Sequence, residues 1–176
     1  MKHILLLTFV FSPNIGGVES HLDDLTNYLS RNHSVTVITY KPLGAKEKIP
    51  FKEIKKNLTI IRIPWFHPAI FNFLEKVPFI EILYLVPPIL LYSFGYLLLN
   101  FRRTGVLQVH GFNMAIVGSI LSKIFGKPLV VNTHVSFYFQ KGSRYAIILR
   151  YFLQRALYIL VLTKESKKEL EKIGIW

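Results

Sequence analysis

A glycine turn between an apolar segment and an amphipathic segment is the feature that most constrains the fold. The apolar run Ile4 to Val10 predicts a buried strand, and the segment Phe11 to Glu19 that follows contains Gly16-Gly17. Apolar residues then recur at helical spacing: Val18, Leu22, Leu25 and Leu29. The order strand, glycine turn, helix places free backbone N–H groups and the positive end of a helix dipole at one point, which suits a phosphate or a hydroxyl beside one.

The spacing of this turn excludes two common phosphate-binding loops. It is neither the dinucleotide fingerprint G-x-G-x-x-G nor a P-loop, which ends in Gly-Lys-Ser/Thr. Two interpretations of the glycines stay open from the residues alone. They let the backbone approach a ligand and take positive φ if the turn requires it, or they only make a tight turn.

The rest of the chain alternates between strand-like and helix-like segments. Strands are predicted at Ser34–Tyr40, Leu58–Ile63, Val106–His110, Leu129–Thr133 and Tyr158–Leu162. Helices are predicted at Val18–Arg31, Asn113–Phe125, Tyr145–Leu157 and from Thr163 towards Gly174. Between them, Lys41 to Asn57 is predicted to be an exposed, lysine-rich loop. This alternation predicts one α/β domain over residues 1–176, with a Rossmann-like, mostly parallel sheet and helices on both faces.

The segment Phe71 to Phe101 is very apolar, and from Val77 onward Glu81 is its one charged residue. It is long enough to cross a bilayer. Three features disfavour a simple span: Pro87-Pro88 near its middle, the Glu81 carboxylate, which would lie within the hydrocarbon, and the α/β pattern on both sides. We expect one long or two short helices, partly in the core and partly facing lipid, anchored by Lys76 at one end and by Arg102-Arg103 at the other.

Charge and cysteine content narrow the choice of partner and compartment. The net charge is +12 and cysteine is absent, which excludes a disulfide framework and thiolate metal sites. The basic residues are scattered and lack nucleic-acid-binding signatures, so no nucleic acid is expected. We expect an anionic membrane surface instead, because the positive charge flanks apolar sequence; a basic surface that serves solubility alone is the alternative. The N-terminal apolar run is too short for a signal peptide. The expected location is therefore cytoplasmic, peripheral on the inner face of the cell membrane.

Polar residues follow two further strands, in the segments Val109-His110-Gly111 and Asn132-Thr133-His134. The carboxyl ends of parallel strands meet at one edge of a sheet, where ligands bind. We therefore expect His110 and His134 to lie near the glycine turn. Structural roles are the alternative for both histidines. The other histidines, His3, His21, His33 and His67, are interpreted as structural or solvated.

Two patterns resemble a known family. F-x-P-x-x-G-G-x-E (Phe11 to Glu19), a leucine-spaced helix and H-x-V-x-V-x-T from His33 resemble the start of nucleotide-sugar glycosyltransferases of the GT-B fold, family 4 in particular, the large retaining group. Leu153 to Gly174 resembles the close of that family's first domain. Two departures are Asn32, where glycine usually precedes the histidine, and Leu157, where aspartate is usual.

The resemblance implies roles for individual residues. His134 would be catalytic, near the transferred sugar, donating to a sugar hydroxyl or moving a proton. Contacts with the donor diphosphate or the acceptor would come from a substrate-binding set of Gly16, Gly17, His110, Asn14 and Glu19. Neither a metal site nor a cofactor is expected, since the nucleotide sugar is a substrate.

The resemblance also implies that the chain is the acceptor-side half of a GT-B enzyme. Its C-terminal donor-binding domain would be absent, and the half alone would be inactive. The expected partners are a nucleotide-sugar donor, a glycan or lipid-linked acceptor, the missing domain and an anionic membrane. Two alternatives stay open: a non-catalytic membrane-binding or scaffold module with a Rossmann-like core, and a nucleotide-dependent epimerase of the same two-domain build.

Overall fold

The structure is a computed structural model that describes residues 2–42, 49–65, 78–134 and 144–175. In these residues the strands are β1 (His3–Leu7), β2 (Ser34–Tyr40), β3 (Lys52–Lys55), β4 (Leu58–Ile63), β5 (Thr104–His110), β6 (Leu129–Thr133) and β7 (Tyr158–Val161). The helices are α1 (Gly17–Leu29), α2 (Pro78–Asn100), α3 (Phe112–Phe125), α4 (Arg144–Leu153) and α5 (Lys164–Lys172).

The strands form one sheet in the order β3-β4-β2-β1-β5-β6-β7. Every neighbouring pair is parallel except β3 and β4, which are antiparallel. The chain crosses over between β4 and β5, so the strand order reverses beside β1. The predicted α/β fold with a mostly parallel sheet is confirmed.

Alternate side chains of β1 face opposite layers of helices. Ile4 and Leu6 pack in a cluster with Leu22 of α1. Leu5 and Leu7 belong to a larger cluster on the other face, where α2 and α3 pack. This alternation follows from the two-residue period of a strand, and it confirms the prediction of helices on both faces.

The predicted apolar segment contains one continuous helix in its described part, residues 78–100, while residues 71–77 lie outside the described ranges. The helix runs through Pro87 and Pro88. Each proline lacks a backbone N–H and so removes one helical hydrogen bond. Leu85, Ile89 and Leu97 are fully buried against the sheet, and this packing offsets the loss.

The opposite side of α2 remains uncovered. Ile80–Asn100 is long and apolar enough to cross a bilayer by length and composition, but 28% of its most apolar window is buried within the fold. Leu83, Leu91 and Leu99 are 74%, 70% and 87% exposed. The helix is therefore a packing layer of the domain with an exposed apolar face.

The prediction of a loop from Lys41 to Asn57 is wrong for part of that range. Strand β3 lies within it and pairs with β4, with Lys52 opposite Ile61. Ile54, the apolar residue of β3, is 65% exposed, so the strand carries no alternating pattern. Its pairing is supported by the ion pair between Glu53 and Arg62 of β4, at 2.8 Å. Residues 43–48 lie outside the described ranges.

Other predicted boundaries differ by a few residues. Strand β1 ends at Leu7 rather than Val10, and α4 ends at Leu153 rather than Leu157. Both predicted ends of the last helix agree with the structure. At its start, the Thr163 side chain accepts a hydrogen bond from the Ser166 N–H at 3.1 Å. After its last turn, Gly174 has φ 77°.

Candidate functional site

Three histidines from three elements meet at the carboxyl edge of the sheet. His21 lies in the second turn of α1, His110 is the last residue of β5, and His134 directly follows β6. His110 Nδ1 and His134 Nε2 are 2.7 Å apart, and the two rings lie end to end and nearly parallel, with centroids 5.0 Å apart and an angle of 15° between their planes. The His21 ring meets the His134 ring edge-on at 5.3 Å. We call these residues the histidine cluster.

Burial keeps two members of the cluster uncharged at neutral pH. His110 is 2% exposed, and burial, followed by the nearby His134 and His21, lowers its pKa to about 3. Burial and then His21 also lower the pKa of the half-buried His134. A neutral imidazole has one donor nitrogen and one acceptor nitrogen. The 2.7 Å contact is therefore a hydrogen bond between two neutral rings.

The second nitrogen of His110 lacks a partner. Nε2 is buried and makes no hydrogen bond with any part of the chain that the structure describes. A buried polar atom without a hydrogen bond costs free energy, so such atoms are rare and call for an explanation. Burial against a second histidine therefore makes His110 an unusual core residue.

The two glycines of the turn keep the start of α1 open. Gly16 has an extended backbone with φ 178°, and Gly17 is the first helical residue. Neither lies in the left-handed region, so the turn does not require positive φ at these positions. A Cβ atom on Gly17 would meet nothing within 4 Å, and one on Gly16 would meet the carboxylate of the flexible Glu19 side chain. Neither the fold nor the backbone requires glycine here.

The first turn of α1 accordingly has room and unused donors. Gly16, the N-cap, provides no side-chain hydrogen bond to the helix. The first N–H groups of a helix have no partner within the helix. Ile15, directly before the glycines, is fully exposed. This turn therefore presents backbone donors to solvent beside the histidine cluster.

Asn14 and Glu19 flank the glycines as predicted. The Asn14 N–H donates to the Phe11 carbonyl at 3.2 Å and closes the turn. Glu19 occupies the third helical position and its carboxylate lies over Gly16, the position of a capping-box acid. Helix capping explains Glu19 on its own, and a role in substrate binding stays a prediction for both residues.

Arg62, near the end of β4, anchors the turn and was not singled out from the sequence. It is 3% exposed, and its Nη2 donates to the Ser12 carbonyl at 3.0 Å. The Asp23 side chain of α1 hydrogen-bonds Ser12 as well, and burial raises the pKa of this carboxyl. The signal in the sequence was an arginine inside the otherwise apolar strand Leu58–Ile63.

His21 is a second site residue that the sequence patterns do not single out. It was interpreted as structural or solvated, and it is exposed, yet it contacts the two predicted site histidines. Its position four residues after Gly17 puts both on one face of α1. Helical spacing from the glycine turn was therefore the available signal.

Residues 15–176 match the family model described as Glycosyltransferase Family 4. The chain belongs to glycosyltransferase family 4. An uncharacterised glycosyltransferase of Methanocaldococcus jannaschii is 26% identical over 172 residues, which cover 93% of this chain and 41% of that protein. The family recognised from the glycine turn and the C-terminal pattern is thus confirmed.

Solved structures show the same fold. Sucrose-phosphate synthase from Thermosynechococcus elongatus superimposes with a TM-score of 0.66 at 15% identity, over 98% of this chain and 45% of that one. HepE of Anabaena, solved in complex with UDP-glucose, has a TM-score of 0.64 at 15% identity, over 99% and 41%. The chain spans less than half the length of these proteins. Its fold is that of one half of a GT-B structure.

Proposed function

We propose that this chain is the acceptor-binding half of a retaining glycosyltransferase that moves a sugar from a nucleotide-sugar donor to an acceptor hydroxyl. The observation that carries the proposal is the open glycine turn beside the histidine cluster at the carboxyl edge of the sheet. A second GT-B half would close over this edge, which makes the chain inactive alone. Nucleotide sugars are supported as donors by HepE, which was solved with UDP-glucose.

The glycine turn supplies the electrostatics for this reaction. The leaving diphosphate develops negative charge as its bond to the sugar breaks, and oriented backbone N–H groups stabilise such charge without reorganising. The open first turn of α1, with its positive dipole end, offers these donors. No Cβ atom at Gly17 blocks the backbone, and the flexible Glu19 side chain over Gly16 would swing aside for a phosphate or an acceptor hydroxyl to approach closely.

His134 supplies the proton chemistry. Burial lowers the pKa of His134 and so favours the neutral imidazole, which has one nitrogen to accept a proton and one N–H to donate to a sugar hydroxyl. The hydrogen bond with His110 orients the ring. In a retaining transfer the acceptor oxygen attacks from the face that the diphosphate leaves, so both groups need to be held at one edge.

Binding to the glycine turn is tested on the chain itself. Titrating the 15N-labelled chain with UDP-glucose is expected to shift the amide signals of Gly16 and Gly17. Gly17→Ala is expected to weaken binding roughly tenfold, because a methyl group enters the open space. Gly95→Ala is the matched control, since Gly95 is also a helical glycine with nothing within 4 Å. Unchanged binding in the first variant, or an equal loss in both, would contradict the proposal.

Transfer is tested in a two-domain protein that contains this chain. The product should keep the anomeric configuration of the donor, as read by proton NMR, and the isolated chain should release no UDP from UDP-glucose. An inverted product would reject retention. Turnover by the chain alone would reject the role of a second half.

Membrane association is part of the proposal and is supported by α2. Its exposed face carries Leu83, Leu91 and Leu98, and Arg102-Arg103 follow the helix. A helix with an exposed apolar face of this kind buries its apolar side chains at the lipid interface, while the neighbouring basic groups meet anionic headgroups. A surface so placed suits a lipid-linked acceptor and a peripheral location on the cytoplasmic face of the membrane.

Vesicle sedimentation tests this surface. Binding to vesicles with anionic phosphatidylglycerol should exceed binding to neutral phosphatidylcholine. Replacing the three exposed leucines by glutamine should abolish it without unfolding the chain. Replacing the exposed Ile124 and Ile147 on α3 and α4 is the control for general loss of apolar surface. Equal loss of vesicle binding in both variants would show that α2 has no special role in membrane association.

A further inference from the structure

The histidine cluster has the composition of a metal site. The nearest ring nitrogens of its three members all lie within 4.8 Å of one another. Imidazole nitrogen is a common ligand of Zn²⁺ and binds at about 2.0–2.1 Å. Three histidines with an open fourth position form a well-known arrangement for zinc bound together with water.

The cluster needs rotations of the rings as well as small shifts to reach ligand geometry. Two nitrogens on a tetrahedral zinc ion lie about 3.3 Å apart, so the 2.7 Å pair of His110 and His134 must widen by about 0.6 Å, and both rings, whose nitrogens now point at each other, must turn towards the ion. His21 must approach by a larger amount. It is exposed on the surface of α1, so rotation about its side-chain bonds meets little resistance. The two strand-end histidines are held by neighbouring parallel strands.

Both ring nitrogens of His110 need to be considered when the metal binds. The Nδ1 atom now bonds His134, and Nε2 has no partner within the described part of the chain. A metal ion bound to His110 Nδ1 and His134 Nε2 would take the place of the proton that the two rings share. That proton then moves to the other nitrogen of the ring that carried it. No proton is lost in this tautomer change, so the site does not depend on a change in ring charge.

The ligand set determines which ion binds. Imidazoles suit Zn²⁺, Cu²⁺ and Ni²⁺, whereas Mg²⁺ and Ca²⁺ prefer oxygen ligands, which the cluster of His21, His110 and His134 does not contain. The net charge of +12 also disfavours diffuse cation binding on the surface. Tight uptake of one transition metal ion would therefore report this cluster.

We propose that His21, His110 and His134 form a binding site for a divalent transition metal ion of the Zn²⁺ type at the carboxyl edge of the sheet. His21 is exposed, so water or another oxygen donor would complete the coordination on its side of the site. Metal binding does not rest on the proposed transferase function. One consequence of metal binding does rest on that function: a bound ion would withdraw His134 from proton transfer.

The experiment is a calorimetric titration of the tag-free chain with ZnCl₂ at neutral pH, repeated with a chromogenic chelator as competitor. One Zn²⁺ per chain is expected at micromolar protein concentrations, and MgCl₂ should give no heat of binding. Absence of Zn²⁺ uptake under these conditions would overturn the proposal, whatever the fate of the transferase function.

Two matched variants locate the site. His21→Asn removes the exposed ligand and should weaken Zn²⁺ binding at least roughly tenfold, a loss in the range seen when metal-site groups are removed. His33→Asn is the control, because His33 precedes β2 and so lies at the opposite edge of the sheet. Equal affinities in the two variants would overturn the assignment. His21 is exposed, so its replacement leaves the folded core intact and the comparison interpretable.

Discussion

The two edges of the sheet each contain a buried histidine, and their surroundings differ. At the amino edge, His3 of β1 has hydroxyl partners at both ring nitrogens, Thr104 at 3.2 Å and Thr36 at 3.0 Å. The Tyr96 hydroxyl of α2 lies 3.1 Å from His3 Nε2. At the carboxyl edge, His110 has one histidine partner, and its second nitrogen has none among the residues that the structure describes.

The difference separates a structural histidine from a candidate functional one. Hydroxyl groups donate or accept, so they satisfy His3 in either tautomer and join β1 and β2 to α2. The bond from His110 goes to a ring that titrates, and the unpaired nitrogen costs stability. A fold keeps such an arrangement where the site gains from it. The predictions below test whether stability belongs to one edge and activity to the other.

The largest effect is expected from His134→Ala in a two-domain protein that contains this chain. Turnover should fall about 10²–10³-fold, the usual contribution of a positioned acid or base. The melting temperature should also fall, because the buried Nδ1 of His110 loses its hydrogen-bond partner, so turnover is compared per folded molecule. Steady-state kinetics and calorimetry on the same sample measure both quantities.

The matched variant at the other edge is His3→Ala. It should lower the free energy of unfolding and leave turnover per folded molecule unchanged. If His3→Ala reduced turnover as much as His134→Ala, the division between the two edges would be wrong.

Acid should destabilise the domain as the pH falls from about 6.5 towards 3. The folded state holds the His110 pKa near 3, below the ordinary value of 6.5, so the unfolded chain binds more protons in this window. The stabilisation is complete above the unfolded pKa and is lost at about 1.4 kcal/mol per pH unit for each such group. Burial lowers the pKa of His3 as well, which adds in the same direction.

Urea denaturation at several pH values measures this slope. His110→Phe should remove the part of the pH slope that arises at the carboxyl edge, and His3→Phe should remove the part that arises at the amino edge. A slope that neither variant reduces would mean that other groups control acid unfolding.

Tyr96→Phe should cost about 1 kcal/mol, the typical net value of a lost hydrogen bond. The change removes the hydroxyl that joins α2 to Thr36 at 2.9 Å and to His3. Tyr92→Phe on the same helix is the control, since Tyr92 is 44% exposed. Chemical denaturation of both variants should separate them, and equal stabilities would show that the hydroxyl network contributes nothing.

The smallest effect on stability is expected from His21→Asn, below about 0.5 kcal/mol, as for most exposed positions. The same variant should lose Zn²⁺ affinity. A large loss of stability would indicate that His21 supports the fold of the carboxyl edge, and thermal denaturation without metal distinguishes the two cases.

Local patterns were enough to predict most of the fold. The strands of the core and the helices between them follow from apolar periodicity, and the exceptions have physical reasons. Strand β3 lacks an apolar face, so its pairing depends on the contact of Glu53 with Arg62. Periodicity alone did not decide whether Pro87-Pro88 divides the apolar segment, because burial of one side of α2 offsets the lost hydrogen bonds.

The candidate site was predicted in part. The strand ends that carry His110 and His134 follow from the rule for parallel sheets, and the structure brings them into contact. His21 and Arg62 were missed because their roles depend on contacts between elements far apart in the sequence. The glycines were noticed, but their open surroundings were not foreseeable from composition.

The sequence by itself determined the family, the α/β alternation and the edge where polar groups collect, because these depend on local periodicity and on motif order. Only the tertiary structure decided that His21 meets His110 and His134, that one nitrogen of His110 has no partner in the described part of the chain, and that α2 has one face in the core and one exposed. Those properties depend on how each helix lies across the sheet, which sets distances that no local pattern encodes.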